Sequence, residues 1–412
     1  MVFTVVKTVG TTGVFSTPQL WEDGAPADLT TAEKSAAGTF AVAQFTQGEV
    51  VNFVGSAAVG KFLATDSTGV GTGTYIVYGV TSGNIAASDV ATGATSGATC
   101  IISSSTPQDT GVIWKGEQQN QEFVNTVNDA SLLYITGSTT SAAAYKEYTA
   151  GAGNSFQDHA NVRTNGLRYN ASNGAALKNT AAYGSVVRLD ENYGRVNRLQ
   201  LLLTTFGSYC FRSNNAFWTL KDCIVECTRM YCLLIDSNTN DWKLINCVFI
   251  NDQATADGNL MQNGGLVLNC TFVRPSNHAA AGTMTVGNYS TQTWTNVAFF
   301  GYTTRQSGSS TRNFTYCATD LAAPTGTGNI GALTYANQFE QPSNASSVMD
   351  FRMKSGADLD NAGNTDATNA PNDISATVRA AGLDGDIGAW ELVAAGGGKL
   401  KRKLIPQELW AA

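Results

Sequence analysis

Lys221-Asp222-Cys223-Ile224-Val225, Ile245-Asn246-Cys247-Val248-Phe249, Leu268-Asn269-Cys270-Thr271-Phe272 and Thr295-Asn296-Val297-Ala298-Phe299 repeat one phrase. Each version has Asp or Asn, then a small residue, then a mainly apolar pair, and the polar residues recur at steps of 24, 23 and 27. A variable period in the twenties around a short β-type core is the mark of a solenoid. So little strand per unit cannot bury a face alone, so each unit must stack on its neighbour. Stacking at strand spacing, about 4.8 Å per coil, predicts Cys223, Cys247 and Cys270 in one inward column. Asp222, Asn246, Asn269 and Asn296 then form a second column, at a bend where side-chain amides bond the next turn. The expected fold is all-β: a right-handed parallel β-helix.

The chain has 412 residues, room for two or three average domains or one long solenoid with additions. Only 14% of residues are charged and 42 are glycine, which suits turns and thin coils more than helices. A net charge of −7 argues against general nucleic-acid binding, which needs a basic footprint. No run of 18 apolar residues is present, so no membrane-spanning helix is expected. The opening Met1-Val2-Phe3-Thr4-Val5-Val6-Lys7 lacks the pattern of a secretory signal. The eight cysteines sit mostly at strand-like positions, and the 4- and 5-residue spacings of Cys223, Cys227 and Cys232 match no zinc motif. Buried free thiols are expected, and with them synthesis in a reducing cytoplasm.

Residues 1–37 read as a first strand over 2–9 and a short helix. Thr17 is its cap, Pro18 its first turn and Gly24 its end, with Leu20 and Trp21 turned to a core. Such a helix would cover the open end of a solenoid, where strand edges lie bare. Residues 38–105 differ, with short apolar runs at Val50–Val54, Lys61–Ala64, Tyr75–Val80 and Cys100–Ile102 split by Gly/Ser/Thr turns. They predict an inserted small β-barrel or sandwich of five or six strands. Residues 106–392 return to the coil, with candidate strands at Val112–Trp114, Leu132–Thr136, Gly166–Asn170, Gly174–Leu177 and Ser185–Leu189 before the regular repeats. Residues 393–412 are a Gly-rich linker leading to a basic, aromatic tail. There Lys399, Lys401, Arg402 and Lys403 stand beside Leu404 and Trp410, apolar groups costly to leave in water. The set suits an anchor onto an acidic partner surface.

Val348-Met349-Asp350-Phe351-Arg352-Met353, Ala357-Asp358-Leu359-Asp360-Asn361-Ala362-Gly363 and Asp384-Gly385-Asp386-Ile387-Gly388-Ala389-Trp390-Glu391 resemble the closing segment of right-handed parallel β-helix, pectate-lyase-like proteins. The Gly10 to Leu29 head and Gly153-Asn154-Ser155-Phe156 with Asn165–Asn170 resemble the subgroup found in tailed phages and prophages. The resemblance covers about residues 1–36 and 110–392 and leaves out 38–105. It implies a virion structural protein, such as a capsid decoration, cement or head-fibre protein. The implied partners are the major capsid protein or another virion protein, and further copies in a homotrimer. The alternative is a tailspike-type polysaccharide depolymerase, or a host-glycan-binding module on the same solenoid.

Glycan cleavage needs two carboxylates across a cleft, or a cation with a base. Candidates are Glu226 with Arg229, Asp236 with Asp241, Asp252 with Asp257, and Arg274. Asp236, Asn240 and Asp241 also offer oxygen ligands of the kind calcium takes. All of these equally fit ordinary polar turns. His159 and His278 have no nucleophile phrase beside them. No catalytic residue, cofactor or metal is therefore assigned.

Overall fold

The repeated phrase marks the corner between two of three stacked parallel sheets. The computed structural model describes residues 3–25, 29–30, 33–41, 43–46, 48–65, 71–83, 85–106, 112–205, 209–228, 231–235, 241–252, 260–261, 264–275, 283–286, 291–302, 304–307, 312–343, 349–364, 369–379 and 385–392. Among them the coil's sheets have nine, seven and eight strands, each paired only to the turn before and the turn after. Residues Leu220, Leu244, Val267, Trp294 and Phe314 align inward along one sheet. Val225, Phe249, Phe272 and Phe299 align along another. Rings follow the rung spacing: Phe249 stacks on Phe272 at 4.6 Å and Trp218 on Trp242 at 5.9 Å. Gly265 makes room for Trp242, because a Cβ there would lie 2.2 Å from the indole. Full burial of each such side chain contributes about 1.5–3 kcal/mol.

The corner itself is left-handed. Asp222, Asn246, Asn269 and Asn296 have φ of 52°, 52°, 50° and 55°. Asn tolerates this region better than most side chains. Each backbone N–H bonds the next turn: Asp222 to Ile245 O (2.9 Å), Asn246 to Leu268 O (3.0 Å), Asn269 to Thr295 O (3.0 Å). The side chains form the expected second column, Asn246 Nδ2 donating to Asp222 Oδ1 (3.1 Å) and Asn296 Nδ2 to Asn269 Oδ1 (2.9 Å). The residue after each corner points inward. Cys223, Cys247 and Cys270 lie one above another, the Cys247 N–H reaching Cys270 Sγ at 3.5 Å. All eight cysteines are buried free thiols, and burial pushes Cys223 and Cys247 up from the usual thiol range.

The eight-stranded sheet is apolar on both faces. Ile224, Val248, Ile250, Val273, Ala298 and Phe300 point outward into a second core with Phe339, Phe351, Leu359, Ile387 and Trp390. The C-terminal segment therefore lies along the coil as an arm. That double coverage explains strand sequences that do not alternate, as Ile224–Cys227 and Val248–Asn251 do not.

At the other end, Phe3–Val9 pairs directly with Val112–Gln118, from Phe3↔Val112 to Val9↔Gln118. Everything between is an excursion from the first coil. Leu29 marks both exits, its N–H bonding Thr139 O (3.0 Å) and its carbonyl accepting from Val112 N (2.9 Å). Six strands of the excursion close into a barrel. Its first strand is Glu33–Phe40, so the expected boundary at residue 38 moves back into the segment assigned to the cap. The helix is Pro18–Asp23 with Thr17 as N-cap and Gly24 at its end. Trp21 is fully buried, but Leu20 is 48% exposed rather than turned to the core. Glu22 fixes the helix instead: Lys146 Nζ lies 2.6 Å from Glu22 Oε1 and 3.0 Å from Glu191 Oε2, all buried. Gly166–Asn170 is not a strand; residues 151–175 leave the coil as a loop with two 3-10 turns, Phe156–Asp158 and Ala171–Asn173.

Asn296 carries the corner's stability most fully, being 1% exposed with both amide ends bonded. Asn296→Ala is expected to cost about 2–4 kcal/mol by urea midpoint, from lost hydrogen bonds and positive φ. Asn296→Gly keeps the backbone and is expected to cost about 1 kcal/mol less.

Candidate functional site

The acid that the sequence offered first, Glu226, is 3% exposed on the outer face of the eight-stranded sheet. Its partner is Arg168, from the loop that replaces the expected strand. Arg168 Nε donates to Glu226 Oε2 (3.2 Å), its second nitrogen pairs with Oε1, and Tyr169 N donates to Oε2 (3.1 Å). Asp252 stands 3.8 Å from the same guanidinium. Burial raises the Glu226 carboxyl above its usual range, with Arg168 opposing the shift. The Glu–Arg pairing thus fastens the loop to the coil. Arg274 is fully buried, and its carbonyl accepts from Tyr335 Oη (2.7 Å). Asp241 is a left-handed corner residue at φ 83°. His159 Nδ1 accepts from Asn161 N (3.2 Å), closing a turn.

Arg229, Asp236, Asn240, Asp257 and His278 lie outside the described residues, as do Lys399, Lys401, Arg402, Lys403, Leu404 and Trp410 of the tail.

The closing motif forms a buried polar lock that residue spacing did not reveal. Asp373 Oδ2 accepts from Arg163 (3.0 Å) and Glu391 N (2.9 Å), while Oδ1 accepts from Ser375 N and Oγ and from Thr377 N. Arg163 also lies 3.7 Å from the centre of the Trp390 ring. Glu391 Oε2 accepts from Arg379 (3.1 Å) and from Asp386 N (3.1 Å). Burial, then the nearby Glu391 charge, push the Asp386 carboxyl up to about 7. Gly388, at φ 107°, lies where a Cβ would come 2.7 Å from Thr271 Oγ1, so only glycine lets this motif reach the sheet.

A different surface has the make-up of a binding face. On the outside of the seven-stranded sheet, Tyr134 and Arg188 are register partners, and Arg188 pairs in turn with Arg212. The Arg188 guanidinium sits 4.7 Å from the Tyr134 ring, and Tyr134 Oη donates to Asp190 Oδ2 (2.9 Å). Asn214 Nδ2 donates to Asp190 Oδ1 (2.9 Å). The hydrogen bond to Asp190 holds Arg188 above its ordinary range. At the neighbouring corner Tyr193 stacks on Phe217 at 4.9 Å, and both are left-handed, at φ 61° and 60°. Tyr183 repeats that geometry at φ 65° and is 69% exposed. Bulky side chains in this region are outliers that cluster at functional surfaces. Tyr-Gly at 183–184 and 193–194 was the available sequence signal.

No protein-family model, curated protein or solved structure matches the chain.

Arg168→Leu would strand the Glu226 carboxylate and is expected to cost about 2–3 kcal/mol at neutral pH, measured by denaturant midpoint. Glu226→Gln keeps the hydrogen-bonding shape and should cost about 1 kcal/mol. Asp386 holds its proton in the folded chain to about pH 7 but only to about 4 when unfolded. Its stabilising contribution is complete below the unfolded value and disappears as pH rises through the folded one. Asp386→Asn should therefore flatten the fall in melting temperature between about pH 5 and pH 8.

Proposed function

We propose that the chain is a non-enzymatic structural protein of a tailed-phage virion, a capsid decoration, cement or head-fibre protein made in the host cytoplasm. The coil is taken to wind right-handed, as nearly all parallel crossovers do. The observation that carries this proposal is the use made of the polar residues. Glu226 holds a loop to the coil through Arg168, Asp373 holds the arm to that loop through Arg163, and Glu391 closes the arm on itself through Arg379. Such clamps suit a rigid shaft, and the resemblance of the head and closing segments to phage solenoids supports the setting. The partners are the major capsid protein or another virion protein, with homotrimers of side-by-side coils. Lys399, Lys401, Arg402, Lys403, Leu404 and Trp410 are the proposed anchor.

The Tyr134–Arg188–Asp190 face favours a second possibility, host-glycan binding, since aromatic and charged hydrogen-bonding groups together suit sugars. A depolymerase would add cleavage to binding.

Cryo-electron microscopy of particles with and without the protein is expected to show many ordered copies on the head. Incubation with host capsule or lipopolysaccharide is expected to release no sugar. Release that Glu226→Gln or Asp236→Asn abolishes would make the protein an enzyme, and binding lost in Arg188→Ala would make it a glycan reader.

A further inference from the structure

Two arginines lie side by side on the outer face of the seven-stranded sheet. Arg188 and Arg212 are register partners on adjacent coils, about 4.8 Å apart at strand spacing. Their column reads Tyr134, Arg188, Arg212, Leu234, so it sets no acid next to either. Among the described residues Asp190 is the one carboxylate paired with these two guanidiniums, and its pair is Arg188. Arg212 has no ion pair there. That is not for want of acids, since the chain has 32 Asp and Glu against 25 Lys and Arg. Like charges directly opposite on a sheet repel. Two cations against one anion leave this patch with an excess of positive charge.

Aromatic rings hold both heads. The Arg188 guanidinium lies 4.7 Å from the centre of the Tyr134 ring, and that of Arg212 lies 5.7 Å from the Tyr209 ring. The Nε of each arginine is buried and has no hydrogen-bond partner among the described residues. Both residues as a whole are half-buried. The stems therefore pack on the sheet, and the terminal nitrogens are the ends left to bind. Of these, one nitrogen of Arg188 is engaged, by Asp190. Asn214 gives its amide to Asp190 (2.9 Å), and its own oxygen has no partner among the described residues.

We propose that Arg188 and Arg212 together bind an anionic oxygen group, a carboxylate or a phosphate, carried by a sugar of a host surface glycan. The proposal rests on the glycan-binding reading of this face and adds the charge of the ligand. Planar guanidinium forks match the paired oxygens of a carboxylate or a phosphate. An anion between the two heads also removes the repulsion between them. Tyr134 and Tyr209 supply ring surface beside the charge, against which a sugar can pack. Asn214 Oδ1 accepts from a hydroxyl.

The test is saturation-transfer NMR titration of the full-length chain with glucuronate, glucose 6-phosphate and glucose, and with hexaglutamate. At least one of the two anionic sugars is expected to bind at least about tenfold more tightly than glucose, and the tighter of them identifies the anion. Arg212→Gln should remove that preference. Its circular dichroism melt should match the wild type, because Arg212 has no ion pair to lose. Arg188→Gln should remove the preference as well. A preference that survives in Arg212→Gln would overturn the proposal. Glucose that binds as tightly as either anion would overturn it too, while leaving the face a reader of neutral glycans. Failure of all three sugars to bind would overturn both readings. Hexaglutamate that binds more tightly than the sugars would assign the pair to an acidic protein segment and overturn the proposal equally.

Discussion

Each coil closes because one residue per turn accepts left-handed backbone and passes its N–H to the neighbouring turn. Asp222, Asn246, Asn269 and Asn296 do this at one corner. A corner of this kind bends the chain sharply while keeping its buried polar groups bonded, which a close-packed interior demands. The column has one loose joint: Asn246 Oδ1 and Asn269 Nδ2, an acceptor and a donor on adjacent turns, have no partner among the described residues.

The same column receives the arm. Asn246 Nδ2 donates to Asn372 O (2.7 Å), and Asn296 Oδ1 accepts from Asn364 N (2.7 Å). Ladder and arm therefore depend on each other: the corners set where the arm's backbone can bond, and the arm covers the apolar outer face that the eight-stranded sheet could not leave in water. The Asp373 and Glu391 lock fixes the arm's last turn at the point where Gly388 touches Thr271. Several titratable groups that resembled chemistry in isolation are thus parts of one mechanical assembly. What remains facing outward, with aromatic rings in strained backbone, is the seven-stranded sheet and its corner.

Much of the architecture was legible because a solenoid writes its contacts locally. A residue meets its counterpart one coil later, so period, corner and inward column all show as recurrence of Asn-Cys-x-Phe. The cap was legible for a similar reason, since Thr17, Pro18 and Gly24 act within one turn of helix. Leu20 was misplaced because a single helical turn has no periodicity to set its buried side, and Glu22 took the inward position through Lys146. The Gly166–Asn170 stretch looked like strand because its residues alternate, yet it must leave the coil for Arg168 to meet Glu226.

By itself the sequence determined the stack: recurring Asx-small-apolar phrases have one economical arrangement, because short strands can bury their faces only against copies of themselves. It also marked a different module between the first strand and the second coil. Only the tertiary structure decided which carboxylates are paired and that the arm lies on the outer face of the eight-stranded sheet. Those outcomes depend on residues distant in the chain, such as Arg163 with Asp373 or Ser56 with Asp89. No local period encodes such meetings, since side-chain identity alone does not say which groups will be brought within hydrogen-bonding reach.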